Sequence, residues 1–306
     1  MRIGVLGAGA WGSALAHVAR AAGHEVQVWS RGMALEPLQE AQGLILAVPA
    51  QGVRAVLSGL KSIVTNVNKS LLPLIISAKG IEQGTGLFMN EVVAEVLPAA
   101  EPMVLSGPSF AADVMKGLPT AVVMAAQDIA DARHWAETLS LPHFRIYASD
   151  DVKGVEIGGA LKNVLAIACG ISDGRGLGDS ARAALTTRGF AELTRFAAKF
   201  GAKPETLMGL SGLGDLLLTC SSRQSRNYSF GHALGEGKTV EQALAQSRGV
   251  VEGAATVRIA QALARRHGVD MPIVDAVHAI VDEGRAPDQE IARLLSRPLG
   301  PEIRQG

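Results

Sequence analysis

The chain opens with a short apolar strand that runs directly into a glycine turn, Met1-Arg-Ile-Gly-Val-Leu-Gly-Ala-Gly-Ala-Trp-Gly12. Gly7, Gly9 and Gly12 have G-x-G-x-x-G spacing. An amphipathic helix follows, with Ala14, Leu15, Val18, Ala19 and Ala22 on one face and Gly23 as its stop. Strand, glycine turn and helix in this order open a βαβ unit and form a cradle for the pyrophosphate of a dinucleotide. Gly7 permits the tight turn, Gly9 lets backbone approach the pyrophosphate, and Gly12 lets helix and strand pack closely. The anion then rests on the free N–H groups at the helix start, beside Ala10 and Trp11. A second strand, Glu25-Val-Gln-Val-Trp-Ser30, completes the context.

The end of that second strand bears on the type of dinucleotide. A site built for NAD usually has an acidic residue there, about 20 residues beyond the glycines, to hold the ribose hydroxyls. This chain has Ser30-Arg31. A guanidinium suits a 2′-phosphate through charge-assisted hydrogen bonds, although a solvated loop arginine fits the same signal. NADP(H) is favoured and NAD(H) stays open.

With 306 residues the chain exceeds the size at which single cores stop growing, so two domains are expected. Apolar residues make up 48%, ample for both cores. The 29 basic and 29 acidic residues cancel, so nothing points to nucleic acid or an anionic membrane. No apolar run reaches 18 residues, so no transmembrane helix is expected, and glycines break the first apolar stretch too early for a secretory signal. Cys169 and Cys220, the only cysteines, read as buried free thiols of a reducing cytoplasm. The histidines, His17, His24 and His134 among them, lack ligand spacing, and no metal is expected.

Further strands are expected at Leu44–Pro49, Leu74–Lys79, Pro102–Ser106, Ala121–Ala125 and Phe144–Tyr147, the first three nearly continuous apolar runs. From about Asp150 strand signals vanish and Ala, Leu and Gly recur at helical spacing. The expected fold is α/β: a Rossmann-like doubly wound domain over residues 1–149, followed by an all-helical domain over residues 150–306. Ligands of such sheets bind outside the carboxyl ends of the strands. Lys79-Gly80 and Ser106-Gly-Pro-Ser109 stand at two of these ends.

The helical half carries its own signals. Lys162 interrupts an otherwise apolar helix beside Ala160, Leu161, Val164, Leu165 and Ala166. It is either a lysine snorkelling to the surface or a desolvated one with a lowered pKa, suited to moving protons. Asp215 follows the glycines of Gly209-Leu-Ser-Gly-Leu-Gly214, where it either orients that lysine or caps a helix. Ser221-Ser-Arg-Gln-Ser-Arg-Asn227 has the composition of a phosphate grip or of a polar surface loop.

Taken together the motifs resemble the NAD(P)-dependent glycerol-3-phosphate dehydrogenase family of the bacterial type. The likeness runs through Gly7–Gly12, Ala47-Val-Pro49, Ser77-Ala-Lys-Gly80, Leu105–Ala111 and Gly117–Ala121. It continues through Gly159–Val164, Gly212–Asp215, Ser225–Asn227, Val250–Gly253 and Met271-Pro272. The resemblance implies reversible reduction of dihydroxyacetone phosphate to sn-glycerol 3-phosphate for phospholipid synthesis; the thiols point to the cytoplasm, and the oligomeric state stays open, a homodimer being one assembly. It implies Lys162 as the catalytic proton carrier, with Lys79, Gly107, Ser109, Asp215, Ser225, Arg226 and Asn227 on substrate. It implies Gly7, Gly9, Ala10, Trp11, Gly12, Arg31, Lys79, Ala111, Arg226, Val250 and Glu252 on cofactor. For Trp11 and Val250, packing is the plainer alternative.

The chain departs from the family pattern at one place. Only Gly32–Gly43, 12 residues, separate Arg31 from Leu44, where the family has room for a further helix and strand. One short crossover helix, Leu35–Ala41, is expected there, since two cannot be made. The adenosine side of the sheet should therefore lack its edge. Two other functions compete: a related two-domain dehydrogenase of another small hydroxy acid or sugar, and a cofactor-binding protein whose turnover the deletion has impaired.

Overall fold

The computed structural model describes residues 1–64, 71–247 and 249–299, the side chains of 62–64 excepted. Its first half alternates β1 (Arg2–Leu6), α1 (Ala10–Ala21), β2 (Glu25–Trp29), β3 (Gly43–Leu46), α2 (Val53–Val64), β4 (Leu72–Ile76) and α3 (Met89–Val96). It continues with β5 (Ala100–Ser106), α4 (Ala111–Met115), β6 (Thr120–Ala125), α5 (Ile129–Leu139) and β7 (Phe144–Ser149). The second half holds α6 (Val152–Gly174), α7 (Asp179–Ala198), α8 (Pro204–Met208), α9 (Asp215–Cys220) and α10 (Arg226–Gly235). After these come α11 (Val240–Ala245), α12 (Glu252–Arg266), α13 (Pro272–Val281) and α14 (Pro287–Leu295).

The seven strands lie in the order β2-β1-β3-β4-β5-β6-β7. β2 through β5 run parallel, β6 reverses against β5, and β7 runs parallel to β6. Successive strand residues point to opposite faces, which divides the apolar runs between two cores. Ile3, Val5, Ile45 and Ile75 pack with α1 and α5, while Leu6, Leu44, Leu46, Leu74 and Ile76 pack with α2 and α3. That sandwich is the doubly wound layer expected of the sequence, with an all-helical half after it.

Between β2 and β3 the expected helix does not form. Leu35–Ala41 makes only a 3₁₀ turn over Glu36–Leu38. Pro37 removes one backbone donor, and the segment must cross β1 to reach β3, which leaves too little chain for full α turns. Leu38 is buried under the sheet, against the position of a Cβ on Gly4. β2 is left as an edge strand, as the short link implies.

α6 organises the helical half, with Val152 through Ser172 buried apart from Lys153. By length and composition it could cross a membrane, yet its apolar stretch is buried inside the protein. A helix of that length and composition was not expected, because Lys153, Glu156 and Lys162 interrupt the apolar run. It is the core helix of a globular fold. Its first turns are tied to α3: Lys153 meets Glu91 at 2.6 Å, and Glu156 accepts from the Asn90 N–H at 2.8 Å. Along its length it packs backbone to backbone with α10. Gly170 and Gly174 face Gly231 and Gly235, and a Cβ on Gly231 would stand 2.1 Å from the Ile167 carbonyl oxygen. Only glycine allows that approach, which brings the start of α10 beside the middle of α6.

Candidate active site

At the carboxyl edge of the sheet the glycine turn has the geometry of an anion cradle. Gly7 has φ +122°, and a Cβ there would stand 2.6 Å from the Ala47 carbonyl oxygen. At Gly12 a Cβ would meet the Gly7 carbonyl oxygen at 1.8 Å, so neither position accepts another residue without rebuilding the turn. Gly9 differs, since a Cβ there meets nothing within 4 Å among the described residues. It is the N-cap of α1 and supplies no side-chain cap, and no acidic residue stands in the first turn. The indole N–H of Trp11 is buried without a hydrogen-bond partner among the described residues. Open space before an uncapped helix of 12 residues, with an orphaned donor beside it, fits the pyrophosphate of a dinucleotide.

Arg31 lies exposed in the turn after β2, at one end of this edge. Lys79 follows β4, three strands away, or roughly 14 Å at ordinary strand spacing. One extended dinucleotide can therefore lie from one to the other. Ala111 opens α4 past the end of β5, and Val250 is 47% exposed before α12.

The helical half closes over the carboxyl edge of the sheet at Lys79. Asp215, 1% exposed, sits between two lysines: Lys162 at 2.5 Å and Lys79 at 2.6 Å. Lys162 also donates to the Thr219 hydroxyl at 2.9 Å, and Thr219 donates to Asp215 at 3.2 Å. Lys79 donates to the Gly107 carbonyl oxygen at 3.2 Å, which ties the ends of β4 and β5 to the cluster. Lys162 reaches Asp215 because Gly158, one turn earlier on α6, lies against Ser211 and Gly212. Those residues belong to a single π turn, Leu210–Gly214, that leads into α9. A Cβ on Gly212 would lie 2.0 Å from the Leu207 carbonyl oxygen, so the glycines set the path that aims Asp215.

Burial sets the proton affinities. It pushes Lys162 down to about 8; Asp215 opposes the fall and Lys79 adds to it. For Asp215 burial pushes upward, but the two lysines outweigh it and hold the carboxyl below its ordinary value. The cluster is a carboxylate clamping two ammonium groups, one of them ready to lose its proton near neutral pH.

Beside Lys162, Asn163 accepts from the Asn227 amide at 2.8 Å, and Asn227 accepts from the Gly253 N–H at 2.9 Å. Ser225 caps α10 by accepting from the Tyr228 N–H, so its hydroxyl positions the helix start. Arg226 is exposed, its guanidinium over Gly249. Ser109 donates to the Gly107 carbonyl oxygen at 3.1 Å. Glu252 accepts from the Ala50 N–H at 3.3 Å, joining α12 to the end of β3. Burial raises its carboxyl to about 7, against the Ala50 N–H and Arg226.

The structure thus gathers Lys79, Gly107, Ser109, Lys162 and Asp215 at one point. Arg226 and Asn227 stand at the head of α10 beside them, and Arg31 lies apart at the far end of the edge. Thr219 and Asn163 were given no role from the sequence. Thr219 was legible in principle, one helical turn after Asp215; Asn163 shows its partner only once α6 and α10 are packed.

Comparison with known proteins places this arrangement. The model of the NAD-dependent glycerol-3-phosphate dehydrogenase C-terminus matches residues 151–292. That of the N-terminus matches residues 2–36 and 33–132, two segments that meet at the short link. A glycerol-3-phosphate dehydrogenase [NAD(P)+] of Caulobacter vibrioides is 50% identical over 330 residues, covering 98% of each chain. One of Parvibaculum lavamentivorans is 48% identical over 327 residues, covering 97% of each. Both alignments are longer than the 306 residues of this chain, so these relatives carry residues that it lacks. The crystal structure of glycerol-3-phosphate dehydrogenase from Coxiella burnetii superposes with a TM-score of 0.91 at 37% identity, covering 97% of this chain and 99% of the other. The chain belongs to the NAD-dependent glycerol-3-phosphate dehydrogenase family.

Proposed function

We propose that the protein is an NAD(P)-dependent glycerol-3-phosphate dehydrogenase that interconverts dihydroxyacetone phosphate and sn-glycerol 3-phosphate. The observation that carries this reading is the Lys79–Asp215–Lys162 cluster, placed where the carboxyl edge of the sheet meets the helical half. Residues 1–149 hold the cofactor and residues 150–306 supply most of the substrate site.

When bound, a nicotinamide would supply the hydride in reduction and accept it in oxidation. The protein does the rest. Lys162, protonated, donates to the carbonyl oxygen as negative charge develops there, a step worth about 10²–10⁴ in rate. In the oxidation direction the neutral lysine takes the hydroxyl proton, which its value of about 8 permits near neutral pH. Asp215 holds Lys162 and Lys79 in place, and Thr219 fixes the rotation of the Lys162 ammonium. Lys79 stabilises the oxyanion or the phosphate. Gly107, Ser109, Ser225, Arg226 and Asn227 line the substrate, Arg226 and Asn227 gripping the phosphate so that the carbonyl stays in line. Gly7, Gly9, Ala10, Trp11 and Gly12 take the pyrophosphate, and Arg31 takes the 2′-phosphate of NADP(H). Lys79, Ala111, Arg226, Val250 and Glu252 complete the cofactor site.

Cytoplasmic action in phospholipid synthesis belongs to the same reading, supported by the two free buried thiols, Cys169 and Cys220. A homodimer is part of it as an assembly for size-exclusion chromatography to measure. Intact Lys79, Lys162 and Asp215 speak against a protein that binds cofactor without turnover. The test is oxidation of NADPH and NADH against a panel of carbonyls. Dihydroxyacetone phosphate should be the preferred substrate, and equal activity with unphosphorylated dihydroxyacetone would overturn the assignment.

A further inference from the structure

The shortened link changes what can hold Arg31 in place. β2 ends at Trp29, whose carbonyl accepts from the Gly7 N–H at 2.9 Å and so fixes the strand end to the glycine turn. Immediately beyond, the Met33 N–H donates to the Ser30 carbonyl at 3.1 Å, closing a four-residue turn. Gly32, third in that turn, has φ +90°, the conformation a type II turn demands at this position. Arg31 therefore stands at the corner. The exit of the turn is tied back by a second contact: the Trp29 indole N–H donates to the Met33 carbonyl at 2.8 Å. The rest of the Trp29 ring packs, half-buried, against the core on the α2–α3 face. One side chain thus joins the strand end, the core and the far end of the turn.

Among the described residues no further strand lies outside β2 to brace this turn. With that support missing, a loop arginine would sample many orientations, at a cost of side-chain and backbone entropy for each phosphate contact it makes. We propose that Trp29 is the positioning residue that fixes the Ser30–Met33 turn, and through Arg31 sets the preference for a 2′-phosphorylated cofactor. The inference rests on the reading of Arg31 given above, and it assigns the discrimination to a side chain that need not touch the cofactor.

The test uses the whole protein and two cofactor fragments, 2′,5′-ADP, which carries the 2′-phosphate, and 5′-AMP, which does not. Binding is measured by calorimetry. Arg31→Ala should weaken 2′,5′-ADP and leave 5′-AMP unchanged. Trp29→Phe keeps an aromatic ring but loses the N–H donor. It should raise the Kd of 2′,5′-ADP by about three- to ten-fold, the scale of one lost hydrogen bond, again sparing 5′-AMP. In an Arg31→Ala background Trp29→Phe should add nothing. Gly32→Ala is the second variant: its new methyl meets no atom of the described residues within 4 Å, so the strain at φ +90° acts, and the same selective loss is expected. If Trp29→Phe does not fold, Gly32→Ala decides alone. Equal weakening of both probes, or no change, in the deciding variant overturns the positioning role while Arg31→Ala still discriminates. If Arg31→Ala itself leaves 2′,5′-ADP unchanged, the assignment of Arg31 has failed and this inference falls with it.

Discussion

Replacing Asp215 by asparagine removes the charge from the centre of the active-site cluster while keeping its size and one acceptor oxygen. Asp215 is 1% exposed and lies 2.5 Å from Lys162 and 2.6 Å from Lys79. It is the group that opposes the effect of burial on Lys162, whose value is otherwise driven down by desolvation and by Lys79. Removal of an adjacent opposite charge moves a titration by about one to three pH units. Lys162 should therefore fall from about 8 to about 5–7. At pH 7 the protonated fraction then drops from about 90% to between about 50% and 1%, since each pH unit is a factor of ten. The direction follows from the proton each reaction needs. Reduction needs protonated Lys162, so its kcat/KM falls as pH rises through the titration, and that falling limb should move to lower pH in Asp215→Asn. Oxidation needs the neutral amine, and its rising limb should move the same way. The assay is the pH dependence of kcat/KM in both directions for both proteins. The substrate phosphate titrates alike with each, so it cancels in the ratio. A limb that stays near pH 8, or moves to higher pH, would refute the electrostatic argument.

Loss of the guanidinium in Arg226→Ala should raise KM for dihydroxyacetone phosphate by about 10-fold or more, the scale of a charge-assisted hydrogen bond, and steady-state kinetics showing no rise would remove it from the phosphate grip. Glu192 accepts from the buried N–H groups of Ile273 and Val274, so Glu192→Ala should destabilise the helical half by about 2–4 kcal/mol in urea denaturation. A change under 1 kcal/mol would mean those donors find other partners. Grafting the additional segment of a relative between Arg31 and Leu35 should tighten cofactor binding by about 1–3 kcal/mol, one buried apolar contact's worth, and reduce aggregation through the edge of β2. Unchanged Kd and solubility would show the short link to be benign.

The buried strands at Leu44, Leu74 and Pro102 were legible as apolar runs ended by turn signals, the edge strand Glu25–Trp29 by its alternation, and the glycine turn because its three spacings have one steric solution. Lys162 stood out as a lone charge in an apolar helix. What sequence could not show is that Lys79 and Lys162 grip the same carboxylate, across separations of 136 and 53 residues. Such pairing comes from packing of α6, α9 and the ends of β4 and β5, not from local pattern. The same holds for Asn163 and Asn227, whose hydrogen bond forms once the glycines of α6 and α10 bring the two helices together. The link after Arg31 was read correctly in length and wrongly in form: Pro37 and the crossover over β1 leave a 3₁₀ turn where a helix was expected. Nor did local pattern reveal the reversal of β6, since a buried strand reads alike in either direction.

The most direct test of the account is turnover of dihydroxyacetone phosphate with NADPH by Lys162→Ala, with the Kd of NADPH measured alongside. Lys162 is 7% exposed and hydrogen-bonded to Asp215 and Thr219, at the junction of both halves of the site. If it delivers the proton, kcat falls by at least about 10²-fold while NADPH binds within about a factor of two of the unaltered protein. Near-normal kcat in a variant that still binds NADPH would contradict the account at its centre.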